Sequence, residues 1–136
     1  MKRNHSGFTF VEIIIALGLA AILLPALGRA LSFSIRVASQ GEKFTQAYAL
    51  AQQGMETLYA QKSQDWSSLS DGTTTSPLSP FSRDVTISSV KRNLLSGDID
   101  SGGSPDPNTK LIHIVVSWPE TGGTQNVTLN SYVTNH

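Results

Sequence analysis

MKRNHSGFTFVEIIIALGLAAILLPALG, residues Met1–Gly28, reads as a short basic leader, a glycine and a long apolar run interrupted by one acid, Glu12. An ionisable carboxylate inside a hydrocarbon-length helix costs about 2.5–3.5 kcal/mol on insertion scales, so Glu12 asks for a partner or a function. From Phe8 to Gly28 there are 21 residues with Glu12 as the only charge. At ~1.5 Å per residue they span about 31 Å, one hydrocarbon thickness, and the stretch is expected to be a membrane helix.

The leader carries Lys2 and Arg3 and no acid. Basic residues flanking an apolar span are held on the cytoplasmic side, so the chain is expected to run outward. Arg29 and Arg36 beyond the span oppose this bias without reversing it. A secretory signal has its small-residue cleavage site after the apolar region; here the discontinuity falls before it, between Gly7 and Phe8. Pro25 lacks the N–H that would bond to Ala21 and crowds that carbonyl, which predicts a bend or a meltable turn over Ala21 to Pro25.

Past the span, Leu27, Leu31, Ile35, Ala38, Phe44, Tyr48, Ala51, Met55 and Leu58 recur at three- and four-residue steps, apart from a gap around Gly41. The helix is therefore expected to continue with one apolar face, from about Thr9 to Gln64. Phe44, Tyr48, Met55 and Tyr59 read as core, and Gly54 as a point of close approach. Asp65-Trp66-Ser67-Ser68 should end the helix, and Asp71 to Pro80 reads as a loop. Phe81 to Val90 alternates imperfectly, with Val85, Ile87 and Ser89 on one side, as a strand. Ser96 to Asn108 is a turn-rich loop.

Lys110 to Trp118 is the clearest strand. Ile112, Ile114, Val116 and Trp118 share the face that should cover the helix, and Leu111, His113, Val115 and Ser117 share the other. Pro119 to Gly123 reads as a hairpin loop, with Val127, Leu129, Ser131 and Val133 alternating along the return strand. The expectation is an α+β fold: a long N-terminal helix, membrane-spanning in its first half and amphipathic in its second, packed on a small antiparallel sheet of at least three strands. The divisions are 1–7 leader, 8–28 transmembrane helix, 29–64 amphipathic helix, and 65–136 loops and sheet.

The 136 residues leave room for one small domain, and 10 basic against 10 acidic side chains provide no basic stripe for nucleic acid. Without cysteine there is neither a disulfide nor a zinc–thiolate site. His5, His113 and His136 have no metal-ligand spacing, no G-x-S-x-G elbow or phosphate loop occurs, and neither a catalytic site nor a cofactor is expected. Asp98 and Asp100, with Asp106 and Asn108, are weak calcium candidates in a loop that otherwise reads as a solvated turn. Asn126-Val127-Thr128 fits the glycosylation sequon but lies in a predicted strand and is assigned no role.

Gly7-Phe8-Thr9-Phe10-Val11-Glu12 resembles the class III signal of type IV prepilins and pseudopilins: a basic leader, glycine, phenylalanine, and glutamate as the fifth mature residue, with Phe10 where leucine is usual. The resemblance implies that prepilin peptidase cuts between Gly7 and Phe8 and N-methylates Phe8. Eight basic and ten acidic side chains then remain, a balance of −2. It further implies that Glu12 pairs with the Phe8 amine of a neighbouring pilin subunit, in a filament built by an inner-membrane assembly platform. The chain would cross the inner (cytoplasmic) membrane once, with its soluble domain outside, before entering a cell-surface or periplasmic filament.

Ala49 to Glu56 (ALAQQGME), Asp65-Trp66, Val116-Ser117-Trp118 and Val127-Thr128-Leu129 are similar to minor pilins of the type IV pilus modification group. A minor pilin is thus the reading the resemblance favours. A pseudopilin of a type II secretion or DNA-uptake system, a membrane-anchored surface enzyme and an adhesin-like tip subunit are the alternatives.

Overall fold

The computed structural model describes residues 9–135. One helix, a single 3-10 turn and four strands follow in the order α1 (Phe10–Gln64), η1 (Trp66–Ser68), β1 (Gly72–Leu78), β2 (Phe81–Arg92), β3 (Ser104–Glu120) and β4 (Gly123–Thr134). The chain divides between Glu42 and Lys43 into two compact units. In the first, α1 is helical on both sides of Pro25 and across it, and its large apolar side chains are exposed on every side of the helix.

The second unit is a head in which the last part of α1 packs on an antiparallel meander of spatial order β1-β2-β3-β4. Alternation along β3 dictates the core, because successive side chains of a strand point to opposite faces. Ile112, Ile114 and Val116 are fully buried and Trp118 nearly so, whereas Leu111, His113, Val115 and Ser117 are half-buried on the other face. Val127 and Val133 of β4 join this core, with Leu129 packed against it. Phe81 of β2 meets Trp118 edge to face, with ring centroids 5.9 Å apart.

The helix presents small residues to the sheet. Ala47 and Ala51 are fully buried, and Gly54 and Leu58 continue the stripe at steps of three and four. A Cβ on Gly54 would stand 3.1 Å from Arg83 Cδ and 3.3 Å from Ile114 Cδ1, so the close approach expected there is real. Phe44, Tyr48 and Tyr59, expected in the core, are instead 54%, 42% and 43% exposed, while Met55 packs at the margin. Branched side chains on β3 already fill the space under the helix axis. Alanine and glycine fit against them, and the bulky residues are turned to the flanks.

Two stretches expected to be loops contain strand. Gly72–Leu78 lies within the Asp71 to Pro80 segment and pairs with β2 from Gly72↔Ile87 to Leu78↔Phe81. It has no apolar alternation because it is an edge with little to bury. It is held by β-branched threonines and cross-strand contacts, Thr73 with Thr86 at 2.9 Å and Thr75 donating to Asp84 at 2.6 Å.

β3 begins at Ser104, inside the expected Ser96 to Asn108 loop, and pairs there with β2 through Val90↔Asp106 and Arg92↔Ser104. Its prolines are tolerated because the β4 ladder ends at Thr109, with one further bond from Asn135 N–H to Asn108 O, and leaves the far side of Pro105 and Pro107 unpaired by β4. A register shift between Ser89 and Val90 explains the imperfect pattern of β2. It leaves Ser89 exposed and brings Val90 into the core. The β3–β4 turn is tighter than expected, Glu120 pairing with Gly123 across Thr121-Gly122.

Gly54→Leu overfills the helix–sheet contact and is expected to lower unfolding stability by about 1–3 kcal/mol. Tyr48→Ala, on the flank, should change it by less than about 1 kcal/mol. Urea unfolding of the full chain in detergent, followed by tryptophan fluorescence, measures both.

Candidate functional site

The first turn of α1 holds the one carboxylate of the apolar run. Thr9 immediately precedes the helix, and its carbonyl accepts the N–H groups of Glu12 at 3.0 Å and Ile13 at 3.2 Å. Its hydroxyl Oγ1 also accepts from the Glu12 N–H, at 3.4 Å. Thr9 is thus the N-cap and Glu12 the third helical residue, the T-x-x-E spacing of a capping box. A negative side chain there meets the positive end of the helix dipole. The Thr9–Glu12 spacing is legible in the sequence as a helix-start signal, although Thr9 is not among the residues singled out above.

Around this turn the helix offers hydrocarbon and nothing else. Phe10, Leu17, Ile22 and Leu24 are each at least 65% exposed, and a helix apolar on all sides is stable only when lipid or other helices surround it. Among the described residues this is the one helix long and apolar enough to cross a membrane. Further along, the Ser32 hydroxyl donates to the Gly28 carbonyl at 3.0 Å, an i−4 bond that helices of this kind use where apolar surroundings offer no other acceptor.

Gly7 and Phe8 lie outside the described residues. Pro25 sits inside α1. Asp98 and Asp100 lie in the β2–β3 connection, where Asp98 O accepts from Asn93 N–H and Asp100 Oδ1 accepts from Gly102 N–H at 3.1 Å. Asp106 is turned away to Arg92 Nε at 3.0 Å, so the loop's carboxylates do not converge. No group of three His, Asp or Glu side chains arranged for a metal occurs among the described residues.

A helix apolar all round, opened by a capped turn that carries its single acid and continued into a helix-on-sheet head, defines a type IV pilin-like architecture. The family model described as the prokaryotic N-terminal methylation motif matches residues 2–24, the leader together with most of the apolar run. That motif is the class III signal of pilins and pseudopilins, and it implies processing by prepilin peptidase, inner-membrane anchoring and filament assembly. Comparison with curated proteins and with solved structures gives no match to the chain.

The head is tied by carboxylates held below their ordinary range. Asp71 is lowered first by the Ser89 hydroxyl and then by Lys110, whose Nζ lies 3.0 Å away. Asp106 is lowered by Thr109 and Arg92, and Glu120 by Lys43 of α1, at 3.0 Å. A carboxyl whose value is depressed on folding stabilises the fold above its unfolded value, and that contribution disappears as pH falls through the folded value. The urea midpoint is therefore expected to be flat near neutrality and to drop as pH falls below about 4. Glu120→Gln should make that drop shallower, as fluorescence-detected unfolding at stepped pH will measure.

Proposed function

We propose that this chain is a minor pilin, a structural subunit of a type IV pilus-like filament that acts by assembly and not by catalysis. Prepilin peptidase removes residues 1–7 between Gly7 and Phe8 and methylates the new Phe8 amine. Residues 8–28 first anchor the subunit in the inner membrane and then pack with those of other pilins in the filament core, where the assembly platform delivers them. Residues 29–64 carry the helix into the head, and residues 65–136 complete it. Pro25 gives the anchor a place to bend when it leaves lipid, because Ala21 lacks the N–H partner that residue 25 would otherwise supply.

The observation that carries this reading is Glu12, the only charge of the apolar stretch, placed in the first turn of a helix with no apolar surroundings of its own. Cleavage after Gly7 makes a cationic amine, and the amine of a neighbouring subunit is the partner a lipid-embedded carboxylate requires. The pair forms only at one axial offset between adjacent helices, so it sets their register. A buried pair that loses one member is destabilised by about 3–5 kcal/mol.

Glu12→Ala is therefore expected to leave Phe8 as the processed N-terminus but to cut the filament-associated fraction more than about tenfold. Mass spectrometry of the N-terminus and sheared-filament immunoblots read the two outcomes; normal incorporation of the mutant would sink the pairing. Gly7→Trp should leave the leader attached, and a processed Phe8 in that variant would contradict the cleavage site.

A further inference from the structure

The meander has two free edges, β1 and β4, and neither carries a charge. The charges lie on the inner strands: Arg83, Asp84, Lys91 and Arg92 on β2, and Asp106, Lys110 and Glu120 on β3. Soluble sheets do the reverse, guarding their edges with charge, proline or bulges because an open edge templates another strand. Here Pro77 at the end of β1 is the one such device on either edge strand.

β4 is twelve residues long and pairs with β3 in unbroken register from Gly123 to Thr134. Asn135, next in line, donates its N–H to Asn108 O at 2.8 Å. Main-chain groups alternate in direction along an antiparallel strand, so the odd-numbered residues turn theirs to β3. Thr124, Asn126, Thr128, Asn130 and Tyr132 turn theirs to the open edge. Their side chains are all exposed, and beside them runs a groove between α1 and β4 lined by Tyr48, Met55, Tyr59 and Leu129.

We propose that β4 takes up β1 of a second copy of this chain, joining the two sheets edge to edge and head to tail. Strand direction selects this occupant. In a four-stranded antiparallel meander the two edge strands run opposite ways, so a copy set alongside in the same orientation brings its β1 antiparallel to β4. The Lys43 to Gln64 stretches of both copies then run the same way. Pairing β4 with β4 about a two-fold axis would reverse one of them. The edges also match in chemistry: both are uncharged and rich in threonine, and cross-strand threonine pairs are favourable. Such a contact uses different surfaces on the two partners and leaves each pair with a free β1 and a free β4, so it propagates instead of closing at two.

The inference rests on the common anchoring given under Proposed function. Because the chain has no cysteine, it can be tested by site-directed cross-linking in membranes. Full-length chains carrying Thr73→Cys are co-expressed with chains carrying Thr124→Cys, Thr128→Cys or Tyr132→Cys and treated with a short bis-maleimide. One mixed pairing is expected to yield a dimer at least about fivefold above either variant alone, and Thr128→Pro, which removes an outward N–H, should reduce that yield by a similar factor. Asn126→Lys, a charge on the same edge, is expected to do likewise and serves if the proline variant fails to accumulate. Dimers from Thr128→Cys alone that match the mixed pairs, dimers indifferent to both edge variants, or cross-links only to a different protein would each overturn the proposal, as would no dimer at any pairing. Mass spectrometry of Phe8 on the same membranes separates the two readings. An unprocessed chain contradicts the pilin reading, whereas a processed, inserted chain without cross-links contradicts only the edge pairing.

Discussion

The head depends on one contact, in which the Ala47, Ala51 and Gly54 stripe lies on Ile112, Ile114 and Val116. The branched side chains in that contact all come from the sheet, and the helix contributes two alanine methyl groups and the bare backbone at Gly54. Close approach of this kind excludes water from a small interface with few side chains to order, which favours a domain with no disulfide and few aromatic residues to spend on a core. It also fixes what the flanks must do. With the centre closed to large groups, Tyr48, Met55 and Tyr59 border the helix, and Tyr59 bonds to Ser131 of β4 through its hydroxyl at 2.9 Å.

The helix and the central hairpin were legible because each has a period. Three- and four-residue spacing carried α1 to Gln64, and strict alternation carried Ile112 to Trp118 and Val127 to Val133. The face of the helix departs from expectation at Phe44, Tyr48 and Tyr59 because size is no sign of burial where the strands set the available space. β1 was missed because an edge strand with no apolar face has no alternation to read; only its threonines hinted at it. The start of β3 was hidden by Pro105 and Pro107, which exclude a central strand but not one whose far side is unpaired. The Ser89/Val90 shift could not be foreseen from sequence, since it depends on how β3 lies against β2.

At the other end of the chain, the proposed pairing puts local and intermolecular demands on the same residue. Glu12 belongs to the helix start by its spacing from Thr9, and a helix N-terminus in hydrocarbon has unsatisfied N–H groups that must be met within the chain. Under the proposed processing, Lys2 and Arg3 bias the chain's orientation until they are removed. In the proposed function, insertion, cleavage and packing are thus separated along a few residues: Lys2 and Arg3, Gly7-Phe8, the Thr9 cap and Glu12. The carboxylate is legible as an anomaly from its place in an apolar run, and the T-x-x-E spacing hints at its cap, which the hydrogen bonds establish.

The clasp between Arg92 and Asp106 has a consequence for how this head can vary. Arg92 pairs with Ser104 across the strands and also reaches Thr109, so the two ends of the intervening connection are held side by side by groups outside it. Within that connection Leu94 and Leu95 are almost wholly exposed. Lengthening a loop whose ends are already fixed costs only about 0.6 kcal/mol per doubling. Ile99 and Asp100 bond back to Arg92 and Lys91 of β2, so the exposed tip at Leu94 and Leu95 is the position where added residues disturb the sheet least.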